Sequence, residues 1–68
     1  MTFQLRRDMI SETGPGFAVD DGDGNTLPGR WATYDDAYRQ GYLGVYFLSG
    51  AFIVELVDVG GELRKRRR

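Results

Sequence analysis

The chain has 68 residues, none of them cysteine or histidine, a length that allows one domain with a small core. Without cysteine there are no disulfides, thiolate nucleophiles or cysteine-bound zinc, which fits a reducing cytosol; without histidine the commonest general base near neutral pH and the commonest transition-metal ligand are missing. The formal charge of −1 conceals a segregation: all ten acidic residues lie between Asp8 and Glu62, where Arg30 and Arg39 alone oppose them and leave that body at −8, while Arg6 and Arg7 precede it and Arg64, Lys65, Arg66, Arg67 and Arg68 follow it. An acidic body beside a basic tail is a charge layout suited to an interaction protein.

Thr2 to Arg6 alternates polar and apolar residues with Met9 on the same face, which predicts a first strand over about residues 2 to 9. Gly14-Pro15-Gly16 breaks it, and Phe17-Ala18-Val19 reads as a short second strand. Asp20 to Asn25 is dense in residues that bond their own main chain or accept left-handed backbone, so it predicts a turn. Thr26 to Trp31 returns as a third strand, weakened by Pro28 and Gly29 and therefore suited to an edge or bulge. Thr33 is a good N-cap, and Asp35 and Asp36 place carboxylates where the first turn of a helix favours them. The predicted helix runs from Tyr34 to about Tyr42 with Gly41 as a left-handed terminator, or continues through both Gly41 and Gly44 to about Leu48. Val45 to Leu48, Ser49-Gly50 and Ala51 to Val57 read as a hairpin whose second strand is the candidate centre of the sheet. Gly60-Gly61 ends that strand, and the basic residues after Leu63 are expected to form a mobile arm. The expected fold is therefore α+β, a small antiparallel sheet of four to five strands with one short helix over residues 34 to 42 packed on it, organised as a domain over residues 1 to 63 and a basic tail over 64 to 68. Apolar runs such as Ala51 to Val54 are far below the roughly 20 residues that cross a bilayer, so a soluble protein is expected.

Few residues point to chemistry. Asp21, Asp23 and Asn25 occupy the first, third and fifth positions of an EF-hand-like loop, but Thr26 stands in place of the turn glycine and Ala32 in place of the bidentate glutamate. The adjacent pairs Asp20-Asp21 and Asp35-Asp36 lie in a turn and at a helix start, where solvation and capping account for them better than acid–base work does. No phosphate-binding glycine pattern is present. The reading is a non-enzymatic protein with no cofactor and no metal.

Two features bear on a partner. Tyr34, Tyr38 and Tyr42 recur at four-residue spacing, with Tyr46 next if the helix continues; such a stripe is either the helix's core face or an interface, since tyrosine suits surfaces that are half buried and half wet. Trp31 carries the same ambiguity. The tail, Arg64 to Arg68, can track a phosphate backbone in salt-sensitive fashion, or fold against the acidic body and neutralise it.

The segment Val19-Asp20-Asp21-Gly22-Asp23-Gly24-Asn25, followed by Trp31-Ala32-Thr33-Tyr34-Asp35-Asp36-Ala37, resembles a pattern in small phage and bacterial proteins: a short hairpin over an Asp-Gly-Asn turn, then a Trp-Ala-Thr entry into a helix. Together with the length, the absent cysteine and the acidic body, it is similar to phage-encoded inhibitors of host defence, anti-CRISPR proteins among them. The resemblance implies an inhibitor or modulator in the cytoplasm of a bacterial host, binding a basic surface of a host protein or nucleoprotein complex. The residues then expected at the contact are Asp20, Asp21, Asp23, Asp35 and Asp36, with Glu55 and Asp58, and aromatic anchors from Trp31, Tyr38 and Tyr42. The alternatives are a nucleic-acid binder using Arg64, Lys65, Arg66, Arg67 and Arg68, and a structural phage component forming a homo-oligomer such as a homodimer.

Overall fold

The computed structural model describes residues 8–67. Five strands, β1 (Met9–Ser11), β2 (Gly16–Asp20), β3 (Arg30–Trp31), β4 (Phe52–Val59) and β5 (Glu62–Arg67), form one antiparallel sheet in the order β1-β3-β2-β4-β5. A single helix lies on it, beginning as α1 (Tyr34–Asp36) and continuing without a break as a π-helical segment, Ala37–Tyr42. This is the expected small α+β fold.

Alternation along the strands divides the interior in two. Val19 and Ile53 join Trp31 and Ala37 beneath the helix, with Met9, Phe17, Leu27, Tyr42, Tyr46 and Ala51 around them. Ala18, Val54 and Leu56 form a second cluster with Phe52. β4 is apolar on both faces because Ile53 packs in the first cluster and Val54 and Leu56 in the second; it lies between β2 and β5, and its register with β2 runs from Gly16↔Leu56 to Asp20↔Phe52. The strand expected at the centre of the sheet is β4, but the centre of the order is β2; β4 is interior, one place from it.

The largest departure lies after Val59. Gly60 and Gly61, at φ of 62° and 87°, form a two-residue turn with left-handed angles at both positions, the geometry that matches the twist of a tight hairpin. The chain then returns along β4, from Val59↔Glu62 to Val54↔Arg67. The segment expected to be a mobile arm is therefore an edge strand as far as Arg67, and the sheet extends beyond residue 63.

Three other expectations change. The hairpin over residues 45 to 57 does not form: residues 45 to 48 are not a strand, and Ser49-Gly50 links the helix exit to β4, with the Ala51 amide donating to the Leu48 carbonyl. The third strand shrinks to Arg30–Trp31, because Pro28 and Gly29 interrupt it and leave a single bridge between Asp20 and Thr26. Gly41 does not terminate the helix as a left-handed residue; it lies inside the π-helical segment. Of the predicted first strand, residues 2 to 7 lie outside the described residues, as do Arg6, Arg7 and Arg68, and the described strand begins at Met9.

Candidate functional site

The helix is seated by one close approach and one polar relay. A Cβ on Gly41 would lie 2.9 Å from Val19 Cγ2 and 3.0 Å from the Trp31 ring, so only glycine lets the helix backbone come down onto the core at this point. Trp31 is 0% exposed, and its indole Nε1 donates to Gln40 Oε1 at 3.2 Å, whose amide in turn donates to Asp8 Oδ2 at 2.7 Å. At the start of the helix, Thr33 Oγ1 accepts from the Asp36 amide at 3.1 Å, the capping bond expected of this threonine.

Seating the helix this way leaves the tyrosines outside. The π-helical hydrogen bond from the Leu43 amide to the Tyr38 carbonyl spans five residues, so steps of four stay near one turn and the stripe keeps to one side. Tyr34 and Tyr38 lie parallel with centroids 6.4 Å apart, Tyr38 and Tyr42 stack at 5.6 Å, and Phe17 meets Tyr34 edge-on at 6.5 Å. The stripe then ends, because the chain turns away after Tyr42. Tyr46 leaves it: its hydroxyl donates to the Pro28 carbonyl at 2.9 Å, and burial, with the Glu12 charge, raises its pKa. Phe47 takes the next place, edge-on to Tyr42 at 5.5 Å and 74% exposed. Tyr34 and Tyr38 are 43% and 39% exposed, and Tyr42 is half buried. The stripe is thus neither wholly core nor wholly free; its inner end packs on the core and its outer edges face water.

Beside this ladder runs a groove of about 370 Å³, lined by Tyr34, Tyr38 and Tyr42 on one wall and by Ala51, Phe52, Ile53 and Arg67 on the other. The Arg67 guanidinium lies 4.0 Å above the Phe52 ring centroid, a cation–π contact that holds it at the lip. Phe47 does not stand out in the sequence as part of a site, and Arg67 stands out only within the basic run expected to track phosphate. Their only signal is position: Phe47 falls one residue past the next tyrosine of the stripe, and Arg67 sits in a run read as tail.

The acidic residues do not converge as one binding surface. Asp20 is 1% exposed; its carboxylate accepts from the Gly22 amide at 2.8 Å and from Lys65 Nζ at 2.8 Å. Burial pushes its pKa up, but Lys65 and the Gly22 amide outweigh that and hold it below the ordinary carboxylate value. Asp20 is therefore an internal residue and is withdrawn from the predicted contact, as is Trp31. Asp21 closes its own turn, accepting from the Asp23 and Asn25 amides and from the Asn25 side chain, which also lowers its pKa. Asp35 pairs with Arg39 at 3.0 Å on the solvent side of the helix, and Asp36 approaches the same arginine at 3.9 Å. Glu55 pairs with Arg66, and Asp58 accepts from the Gly61 amide within the β4–β5 turn. Asp21, Asp23, Asp35 and Asp36 remain at or near the surface. The Asp20 to Asn25 turn adjoins the groove's Phe52 end, since Asp20 pairs in register with Phe52 and Gly22 packs against the Gly50 backbone.

The basic residues are engaged in the same way. Lys65 bonds Asp20 and the Gly24 carbonyl, Arg66 lies 3.5 Å from Glu55, and Arg64 lies 3.4 Å from Glu62. The other expectation for this segment, that it folds against the acidic body, describes Arg64 to Arg66. Arg30 is buried and anchored by the Gly14, Leu27 and Gly29 carbonyls, a structural role. No helix of the described residues is long and apolar enough to cross a membrane, and among the described residues no group of three or more Asp or Glu side chains is placed to hold a metal ion. What the arrangement can do is bind: an aromatic ladder and an adjoining groove, carried on a sheet whose polar groups are largely bonded within the chain. The chain matches no family model, no curated protein and no solved structure.

Proposed function

We propose that this chain is a non-enzymatic binding protein of the phage-type inhibitor or modulator class, docking on a basic surface of a host protein or nucleoprotein complex with the tyrosine ladder as its anchor. The observation that carries this reading is the ladder itself. Tyr34, Tyr38 and Phe47 stand exposed in one run with Tyr42, and contiguous aromatic area at a polar-rimmed surface is characteristic of protein contacts. Asp21 and Asp23 on the turn and Asp35 and Asp36 on the helix remain at or near the surface. Over residues 8 to 67 the ten acidic residues and six basic ones leave a net charge of −4, which favours encounter with a positive surface. The resemblance to small acidic inhibitors of host defence points the same way. The nucleic-acid alternative draws less support, since Arg64, Lys65 and Arg66 each hold a carboxylate of this chain.

The test is capture from a nuclease-treated bacterial lysate by the wild-type chain, by Tyr34→Ser/Tyr38→Ser, and by Asp21→Lys/Asp23→Lys/Asp35→Lys. A protein complex retained by the wild type should be lost with the tyrosine variant and bound weakly, with a flatter salt dependence, by the charge variant. Equal capture by all three proteins would refute the reading. Concentration-dependent mass in sedimentation, abolished by the tyrosine changes, would assign the ladder to a second copy instead.

A further inference from the structure

We propose that the groove beside the ladder receives the C-terminal carboxylate of an extended polypeptide whose last residue is apolar, with Arg67 as the anion's partner. This rests on the binding reading above and names the chemistry that the groove selects. Of the four consecutive basic residues in β5, three are matched to carboxylates of this chain, whereas the Arg67 side chain has no hydrogen bond or ion pair among the described residues. It is nonetheless held in place, its guanidinium 4.0 Å over Phe52. A guanidinium held against a ring by its face can still offer N–H donors to the two oxygens of a carboxylate. The Tyr34, Tyr38 and Tyr42 hydroxyls on the opposite wall likewise have no partner among the described residues. The lining carries one charged residue, Arg67, and no acidic residue, so within an otherwise acidic protein the groove is locally complementary to an anion.

The geometry also restricts which anion. Arg67 lies 4.0 Å over the Phe52 ring, and Ala51 and Ile53 line the same groove, so the anion and an apolar group must be borne close together. An Asp or Glu side chain brings a carboxylate without an apolar branch. A chain end brings both on one residue, the carboxylate and the side chain sharing a Cα. A volume of about 370 Å³ accommodates one such residue and part of the next, at the lower end of the roughly 300–1,000 Å³ of ligand sites.

The experiment is calorimetric titration of the full chain with an acetylated pentapeptide ending in phenylalanine, as free acid and as C-terminal amide, with N-acetylphenylalanine as the small-acid control. The free acid should bind saturably and the amide at least about tenfold more weakly, the loss expected on removing one charge-assisted contact. Arg67→Gln should lose the same factor, Arg67→Lys should recover part of it, and Arg64→Gln should bind as the wild type does. Equal affinity for acid and amide, no saturation, or full binding by Arg67→Gln would overturn the proposal. N-acetylphenylalanine, which bears the carboxylate and the ring on one Cα, should keep part of the pentapeptide's affinity, and no binding of it at any concentration would overturn the assignment of the terminal residue to the groove. Loss of the peptide result with ladder-dependent lysate capture intact would remove the carboxylate assignment alone and leave the docking reading standing.

Discussion

The edge strand β5 and the tyrosine ladder are both exposed, and they differ in what meets their side chains. Arg64, Lys65 and Arg66 reach back to Glu62, Asp20 and Glu55. Tyr34, Tyr38, Tyr42 and Phe47 meet mainly one another. A long charged side chain can find its counter-ion inside its own fold, and a cationic edge also discourages another strand from pairing with it. Aromatic rings left in water have no such recourse, and only burial against another surface takes their apolar area out of water. A run of charge is therefore the weaker sign of a partner here, and the ladder the stronger.

The comparison breaks most severely if its scaffold fails. Trp31→Ala removes the ring on which Gly41 and the helix rest, and should cost about 4 kcal/mol. A domain this small would then be largely unfolded, which urea titration followed by circular dichroism would show. Asp20→Asn tests whether β5 is held by charge. Loss of a nearly buried carboxylate bonded to Lys65 should cost about 2 kcal/mol near neutral pH. Asp20 has a lowered pKa in the fold, so its contribution is fully present above the ordinary value of 3.8 and disappears as pH falls through the folded value. The stability gap between wild type and Asp20→Asn should accordingly be constant from pH 7 to about pH 5 and close below about pH 4; a gap unchanged by acid would mean that the ion pair does not hold the strand. Tyr38→Ser should change stability by less than about 1 kcal/mol, yet reduce retention of the captured complex about tenfold or more; unchanged retention would turn the ladder into ordinary surface. Arg66→Gln should do least, under about 0.5 kcal/mol by thermal unfolding, because the Arg66 end of its 3.5 Å pair with Glu55 is well exposed.

Elements with a local cause were legible before any coordinates. The Thr33 cap, the Asp20 to Asn25 turn and the strand over Phe17 to Val19 each follow from side chains acting on their own backbone. β5 was not legible, since a row of arginine and lysine has no apolar alternation to mark a strand. Its signal was Gly60-Gly61, which reads as a hairpin turn only if a second strand is admitted after it. Val45 to Leu48 misled in the opposite direction: four β-prone residues leave the helix through a π turn, and Tyr46 bonds Pro28 instead of a neighbouring strand. In the candidate site the spacing of Tyr34, Tyr38 and Tyr42 was visible, whereas the burial of Trp31 and Asp20 depended on tertiary packing, which no local pattern encodes.

The bond between Asp20 and Lys65 also joins the middle strand to a residue 45 positions further along the chain. A contact across that separation closes a long loop, whereas the Gly22 amide reaches the same carboxylate from two positions away. Asp20 thereby ties its own turn and the far edge strand to one point, so a change in the β4–β5 hairpin is felt at the middle of the sheet.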